Sequence, residues 1–160
     1  FGGGGYQSTT RPEERTKLWQ ARHDAYFAAR GLRPGAQVIA TDACVPISRL
    51  ADCVHETIAD IAESGLIAPI VGHVGDGNFH VQVMIDTDNV EEIRVAEAFL
   101  ARLSKRAIGM EGTCTGEHGV GQGKRRYLEL EHGPALAPMR AIKAALDPLG
   151  ILNPGKILPD

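Results

Sequence analysis

Asp76-Gly77, set between the apolar runs 67–71 and 79–85, restricts the fold more than any other feature, because the chain has to double back there. Both central residues of a type I′ turn need φ > 0, and Asp-Gly meets that demand readily, so the pair predicts a two-residue hairpin loop. The strands are expected at about residues 67–73 and 78–85. In that register Gly75 pairs with Asn78, Val74 with Phe79 and His73 with His80. Directly opposed residues have Cβ atoms roughly 4.5–5.5 Å apart, so the two imidazoles would be close enough to share one ion. On spacing alone, the pair fits a solvated sheet face equally well.

The flanking sequence supplies the rest of a domain. Pro12, Glu13 and Glu14 suit the start of a helix and Gly31 its stop, so residues 12–30 are expected to be helical, with Leu18, Trp19, Arg22 and Tyr26 along one side. Residues 36–42 read as a strand. In 46–64, Ile47, Leu50, Ala51, Val54, Ile58, Ile61 and Ala62 follow the 3.6-residue period of a helix that Gly65 ends, and Ile93, Ala96, Phe99, Leu100 and Leu103 do the same for 89–107. A short strand near 110–114 would complete a β-α-β-β-α-β order. That order is the α+β, ferredoxin-like arrangement of an antiparallel sheet with both helices on one face. Phe79, Val81, Val83 and Ile85 should meet those helices. Asn78, His80, Gln82 and Met84 would lie on the other, uncovered face, so a site there needs a lid or a partner domain. Residues 130–149, with Pro134 and Pro148 near the ends, read as a packing helix without chemistry.

Composition sets limits. With 160 residues and 43% hydrophobic content the chain can bury a core, and a net charge of −3 removes the basic field that nucleic-acid binding needs. No apolar run approaches the roughly 18 residues of a membrane span, and nothing at the start reads as a targeting peptide. The expectation is a soluble, intracellular protein, cytoplasmic or mitochondrial. Cys44, Cys53 and Cys114, odd in number and scattered, read as reduced thiols. His23, His55 and His132 lack a partner cluster. Residues 1–11, with glycine at 2–5, read as linker, and so abrupt a glycine run suggests a piece of something longer.

The glycine-rich stretch 112–124 is the second cluster. Walker geometry is absent, since His118 stands where the first glycine should be and Arg125 where Ser or Thr is required. The glycines are not spaced as a Rossmann fingerprint either. Glu117 and His118 remain as its chemical content, side by side and so pointing opposite ways in an extended stretch. Taken with His73 and His80, Glu117 completes two imidazoles and a carboxylate, the three-ligand set with an open position typical of a catalytic divalent-metal site. His118 would be the free base beside it, able to take a proton from a metal-bound hydroxyl.

Residues 72–80, 112–124 and the terminal Asn153-Pro154-Gly155-Lys156-Ile157-Leu158 together resemble the carboxyl-terminal part of FAD-linked oxidases of the vanillyl-alcohol-oxidase superfamily. Leu18-Trp19-Gln20-Ala21-Arg22-His23 and residues 41–50 narrow the resemblance to the flavin-dependent, cytochrome-type D-lactate dehydrogenases. The similarity runs in order over residues 12–160. It implies oxidation of a D-2-hydroxy acid to the 2-oxo acid, with electrons passed on from reduced FAD. It also implies that His73, His80 and Glu117 hold zinc or manganese and that His118 removes the hydroxyl proton. Arg22, Tyr26, Asn78 and Gln82 would bind substrate, Arg22 through its carboxylate. Asn153 would lie near the isoalloxazine ring. Ala40 and Tyr26 stand where relatives acting on dicarboxylic acids carry a basic residue and a threonine, which favours D-lactate. Most FAD contacts would come from an upstream FAD-binding domain, on which residues 116–160 are expected to pack behind a substrate domain at 12–115. Residues 1–160 alone are therefore expected to be inactive.

Two other functions fit the residues less well. RNA binding on the sheet would need stacked aromatics where His73, Asn78, His80 and Gln82 stand. A stand-alone divalent-metal module without flavin is the stronger alternative.

Overall fold

The computed structural model describes residues 8–159, so the glycine run at 2–5 lies outside the described residues. Pro12 opens helix α1 (Pro12–His23), and a second short helix, α2 (Ala25–Arg30), follows after a break at Asp24. The single helix expected over 12–30 is thus two. Strands β1 (Gln37–Ala40) and β2 (Ala43–Cys44) come next, then α3 (Ile47–Ser64), closed by Gly65 in the left-handed conformation at φ 66°. The hairpin strands are β3 (Ile70–His73) and β4 (Asn78–Ile85). Helix α4 (Val90–Gly109) starts at Asn89, whose side chain accepts the Glu91 and Glu92 backbone N–H groups at 3.1 and 3.2 Å.

Strand β4 is the axis of an antiparallel α+β sheet. One edge pairs with β3. The other pairs with β1 and then β2 in one continuous register, Ala40 opposite Gln82 and Ala43 opposite Phe79. The strand expected near 110–114 is a single bridge, Thr113 to Cys44. Glu111 has φ 63°, and a side chain at Gly112 would fall 2.2 Å from the Cys44 carbonyl, so the chain leaves the sheet edge almost at once.

Phe79, Val81, Val83 and Ile85 pack as expected on Cys53, Ala96, Phe99, Leu103 and Ala107 of α3 and α4. Asp60 of α3 ties the two helices together through Arg102 (2.6 Å) and Arg106 (2.8 Å). Burial alone would raise the Asp60 pKa, but the two guanidinium groups outweigh it and hold the carboxyl below its ordinary range.

Two expectations about the hairpin are corrected. The loop is not a two-residue type I′ turn: residues Val74–Asp76 form a 3₁₀ turn and only Gly77 takes positive φ, 72°. His73 therefore pairs with Asn78, and Val71 with His80. A tertiary contact selects this turn, because the Gly77 carbonyl accepts the Val45 N–H at 3.0 Å and a Cβ on Gly77 would strike the Val45 carbonyl. The second correction concerns the face expected to be open. Asn78, His80, Gln82 and Met84 are all buried, covered from the chain's own residues.

Beyond α4 the helix expected over 130–149 is divided. Gly133, at φ 46°, and Pro134 separate α5 (Leu128–His132) from α6 (Leu136–Leu146).

Candidate metal centre

The register shift of two residues keeps every side chain on its face, since side chains alternate with a period of two. His73 now lies diagonal to His80 instead of opposite it, and the rings still meet edge to face with centroids 5.7 Å apart. Glu117 arrives from the glycine-rich loop with Oε1 at 2.9 Å from His80 Nε2 and 3.6 Å from His73 Nε2. One ligand atom each from His73, His80 and Glu117 lie within 4.8 Å of one another. Three separate chain segments thus converge as the sequence predicts.

Two imidazoles and a carboxylate are a donor set that fits a divalent cation. His80 donates its Nδ1–H to the Thr41 carbonyl at 2.9 Å, which turns Nε2 toward Glu117. The Arg22 guanidinium reaches from α1 to donate to His73 Nε2 at 3.1 Å. His118 stacks on His80 at 5.0 Å between centroids, with Nε2 3.8 Å from Glu117 Oε1 and the side chain half exposed. Asn78 and Gln82 flank His80 on the same face, and their side-chain oxygens, Asn78 Oδ1 and Gln82 Oε1, are buried without a hydrogen-bond partner among the described residues. Such orphaned acceptors are expensive unless a ligand or water meets them.

Tyr26 lies in α2, edge-on to Phe27 with the Arg30 guanidinium 6.0 Å above its ring, and forms no hydrogen bond to the cluster among the described residues. Asn153 sits in the tail at φ 47°, its carbonyl accepting the Lys156 N–H. The tail is fixed to the glycine-rich loop by the Ile157 N–H on the Gly121 carbonyl, 2.8 Å.

The group beneath the site is Asp42, to which residue chemistry and spacing assign no role. It stands opposite His80 in the register, its side chain fully buried. One oxygen, Oδ2, accepts from the Glu117 N–H (2.8 Å), the His118 N–H (2.7 Å) and the Thr115 hydroxyl (3.1 Å). Burial would raise its pKa, but those donors and Lys124 keep the carboxyl below its ordinary value. Lys124, held low by burial, donates to the Asp42 carbonyl at 2.9 Å. Thr41 makes room for this arrangement. Its hydroxyl, instead of its carbonyl, accepts the Val81 N–H (2.7 Å), freeing the carbonyl for His80. No periodicity signals these roles, because the partners of Asp42 lie more than seventy positions away.

Residues 1–157 match the family described as FAD linked oxidases, C-terminal domain. The chain belongs to that family. It is 49% identical over 158 residues to the probable mitochondrial D-lactate dehydrogenase of Danio rerio, covering 98% of this chain and 32% of that protein. It is 42% identical over 98% of its length to the mitochondrial D-lactate dehydrogenase [cytochrome] of Arabidopsis thaliana, covering 28% of it. It is 41% identical over 94% of its length to a glycolate oxidase subunit of Bacillus subtilis, again covering 32%. The chain therefore spans about a third of the length of these relatives. Among the described residues no helix is long and apolar enough to cross a membrane.

Proposed function

We propose that this chain is the substrate-side part of a flavin-dependent dehydrogenase that oxidises a D-2-hydroxy acid, D-lactate in preference, to the 2-oxo acid. The observation that carries the reading is the convergence of His73, His80 and Glu117 on one point, with the Arg22 guanidinium beside it. Family membership and relatives about three times as long favour it over a stand-alone metal module.

In this reading His73 Nε2, His80 Nε2 and Glu117 hold a zinc or manganese ion. When bound, the ion supplies Lewis acidity that lowers a hydroxyl pKa, and FAD supplies a hydride acceptor. Arg22 binds the substrate carboxylate, for which its planar fork of donors is suited. Asn78 and Gln82, with their unmatched oxygens, orient the substrate polar groups, and Tyr26 bounds the pocket. His118 accepts the hydroxyl proton and, being half exposed, passes it to solvent. His80 is kept from rotating by Thr41. Ala40 offers no charge to a second carboxylate, so a dicarboxylic substrate is poorly compensated.

The remainder of the chain completes the assembly. Residues 116–160 pack on the FAD-binding domain of the parent protein, which their exposed Ile142, Leu146, Leu149 and Ile151 suit, and Asn153 lies near the flavin. The 160 residues alone are inactive. The test is anaerobic addition of D-lactate and L-lactate to the full-length flavoprotein. D-lactate is expected to bleach the flavin band and L-lactate to leave it unchanged, whereas no bleaching by any D-2-hydroxy acid would overturn the proposal.

A further inference from the structure

The loop that carries Glu117 and His118 has little of its own to hold it. Gly116, Gly119, Gly121 and Gly123 give its backbone wide freedom, and a loop left free would spread the Glu117 carboxylate over many positions. Among the described residues, the only acceptor that meets a backbone N–H between Gly116 and Gly119 is Asp42 Oδ2, which takes both the Glu117 and the His118 N–H. The same oxygen takes the Thr115 hydroxyl. Both chemical side chains of the loop are about half exposed, so burial does not place them. Asp42, in contrast, is fully buried in the link between β1 and β2, across from His80 in the register those strands continue. Gly116 fits over it closely. A Cβ there would come within 2.9 Å of Asp42 Oδ1 and 2.7 Å of Asn78 Nδ2.

From this geometry we infer that Asp42 is the positioning residue of the site: it fixes the loop backbone so that Glu117 meets the two imidazoles and His118 stacks beside them. It does not touch the substrate or the ion. It acts through the two N–H groups, and one carboxylate oxygen sets both residues in a single register against the sheet. Partners of metal ligands at this remove are worth about 10- to 100-fold in metal affinity or activity. The inference rests on the metal reading above for its consequence, but not for its structural content.

Two readouts on the full-length protein separate the two. Backbone hydrogen exchange over residues 115–120, measured without metal, tests the positioning itself. Asp42→Ala is expected to raise exchange there at least tenfold and Asp42→Asn, which keeps an acceptor but loses the charge, by less, with exchange in α3 and α4 unchanged. Zn²⁺ and Mn²⁺ affinity, measured by chelator competition, tests the consequence, with an expected loss of about 10- to 100-fold for Asp42→Ala. Should the Asp42 variants fail to fold, Thr115→Val removes one donor from the same oxygen and is expected to move both readouts the same way by a smaller factor. Unchanged exchange at 115–120 in a folded Asp42 variant overturns the inference. A wild-type protein that binds neither ion, with the exchange effect intact, overturns the metal reading and leaves the positioning role standing.

Discussion

The two faces of β4 are built on different principles. Toward α3 and α4, Phe79, Val81, Val83 and Ile85 are held by apolar packing, which is non-directional and tolerates small shifts. On the reverse face, Asn78, His80 and Gln82 are just as buried, yet the site is held by directional contacts from distant segments: Thr41 on His80, Arg22 on His73, and Asp42 on the loop that brings Glu117. One strand serves as both the wall of a core and the floor of a site. Stability and chemistry are therefore separable here by mutation, even though adjacent residues supply them.

The largest expected effect lies on the core side. Phe99→Ala removes a fully buried ring and should cost about 3–5 kcal/mol of stability in denaturant melts, while metal affinity of the folded fraction stays at the wild-type level. A loss of metal affinity at full folding would break the distinction between the faces. On the site side, His118→Asn should lower the rate of flavin reduction by D-lactate by about 10²- to 10⁴-fold, with the melting temperature unchanged. A rate close to wild type would remove His118 from proton transfer and sharpen the site to its metal ligands alone.

A smaller effect concerns the clasp behind the core. Because Arg102 and Arg106 hold the Asp60 carboxyl below its ordinary range in the folded state, its contribution is present above the usual carboxylate range and is lost as pH falls through the lowered value. Asp60→Asn should therefore lower stability at neutral pH and flatten its decline in acid, as read from melting temperatures across pH 2–7, a window set around the carboxylate range. An unaltered pH profile would assign acid lability to other carboxylates.

The two faces also differ in how far they were legible. Helix α3 and its Gly65 stop, α4 and its Asn89 start, and the inward set on β4 follow from local periodicity and capping, and all appear where the pattern places them. The convergence of His73, His80 and Glu117 was legible from residue chemistry, and survived a wrong register because the slip was an even number of residues. What escaped is non-local. The turn at 74–77 was chosen by Val45, the polar face was covered by segments distant in sequence, and the strand near 110–114 was cut short by crowding at Gly112. Asp42 escaped for the same reason, as a lone carboxylate whose meaning lies entirely in residues 115–118.

In the proposed site, two imidazoles from the hairpin and a carboxylate from the glycine-rich loop grip one divalent cation. Anomalous diffraction at the zinc edge, from crystals of the zinc-loaded full-length protein, tests it most directly. A single peak is expected about 2.0–2.2 Å from His73 Nε2, His80 Nε2 and a Glu117 oxygen, with Arg22 moved off His73. A peak elsewhere, or these three side chains hydrogen-bonded to one another with no peak among them, would contradict it.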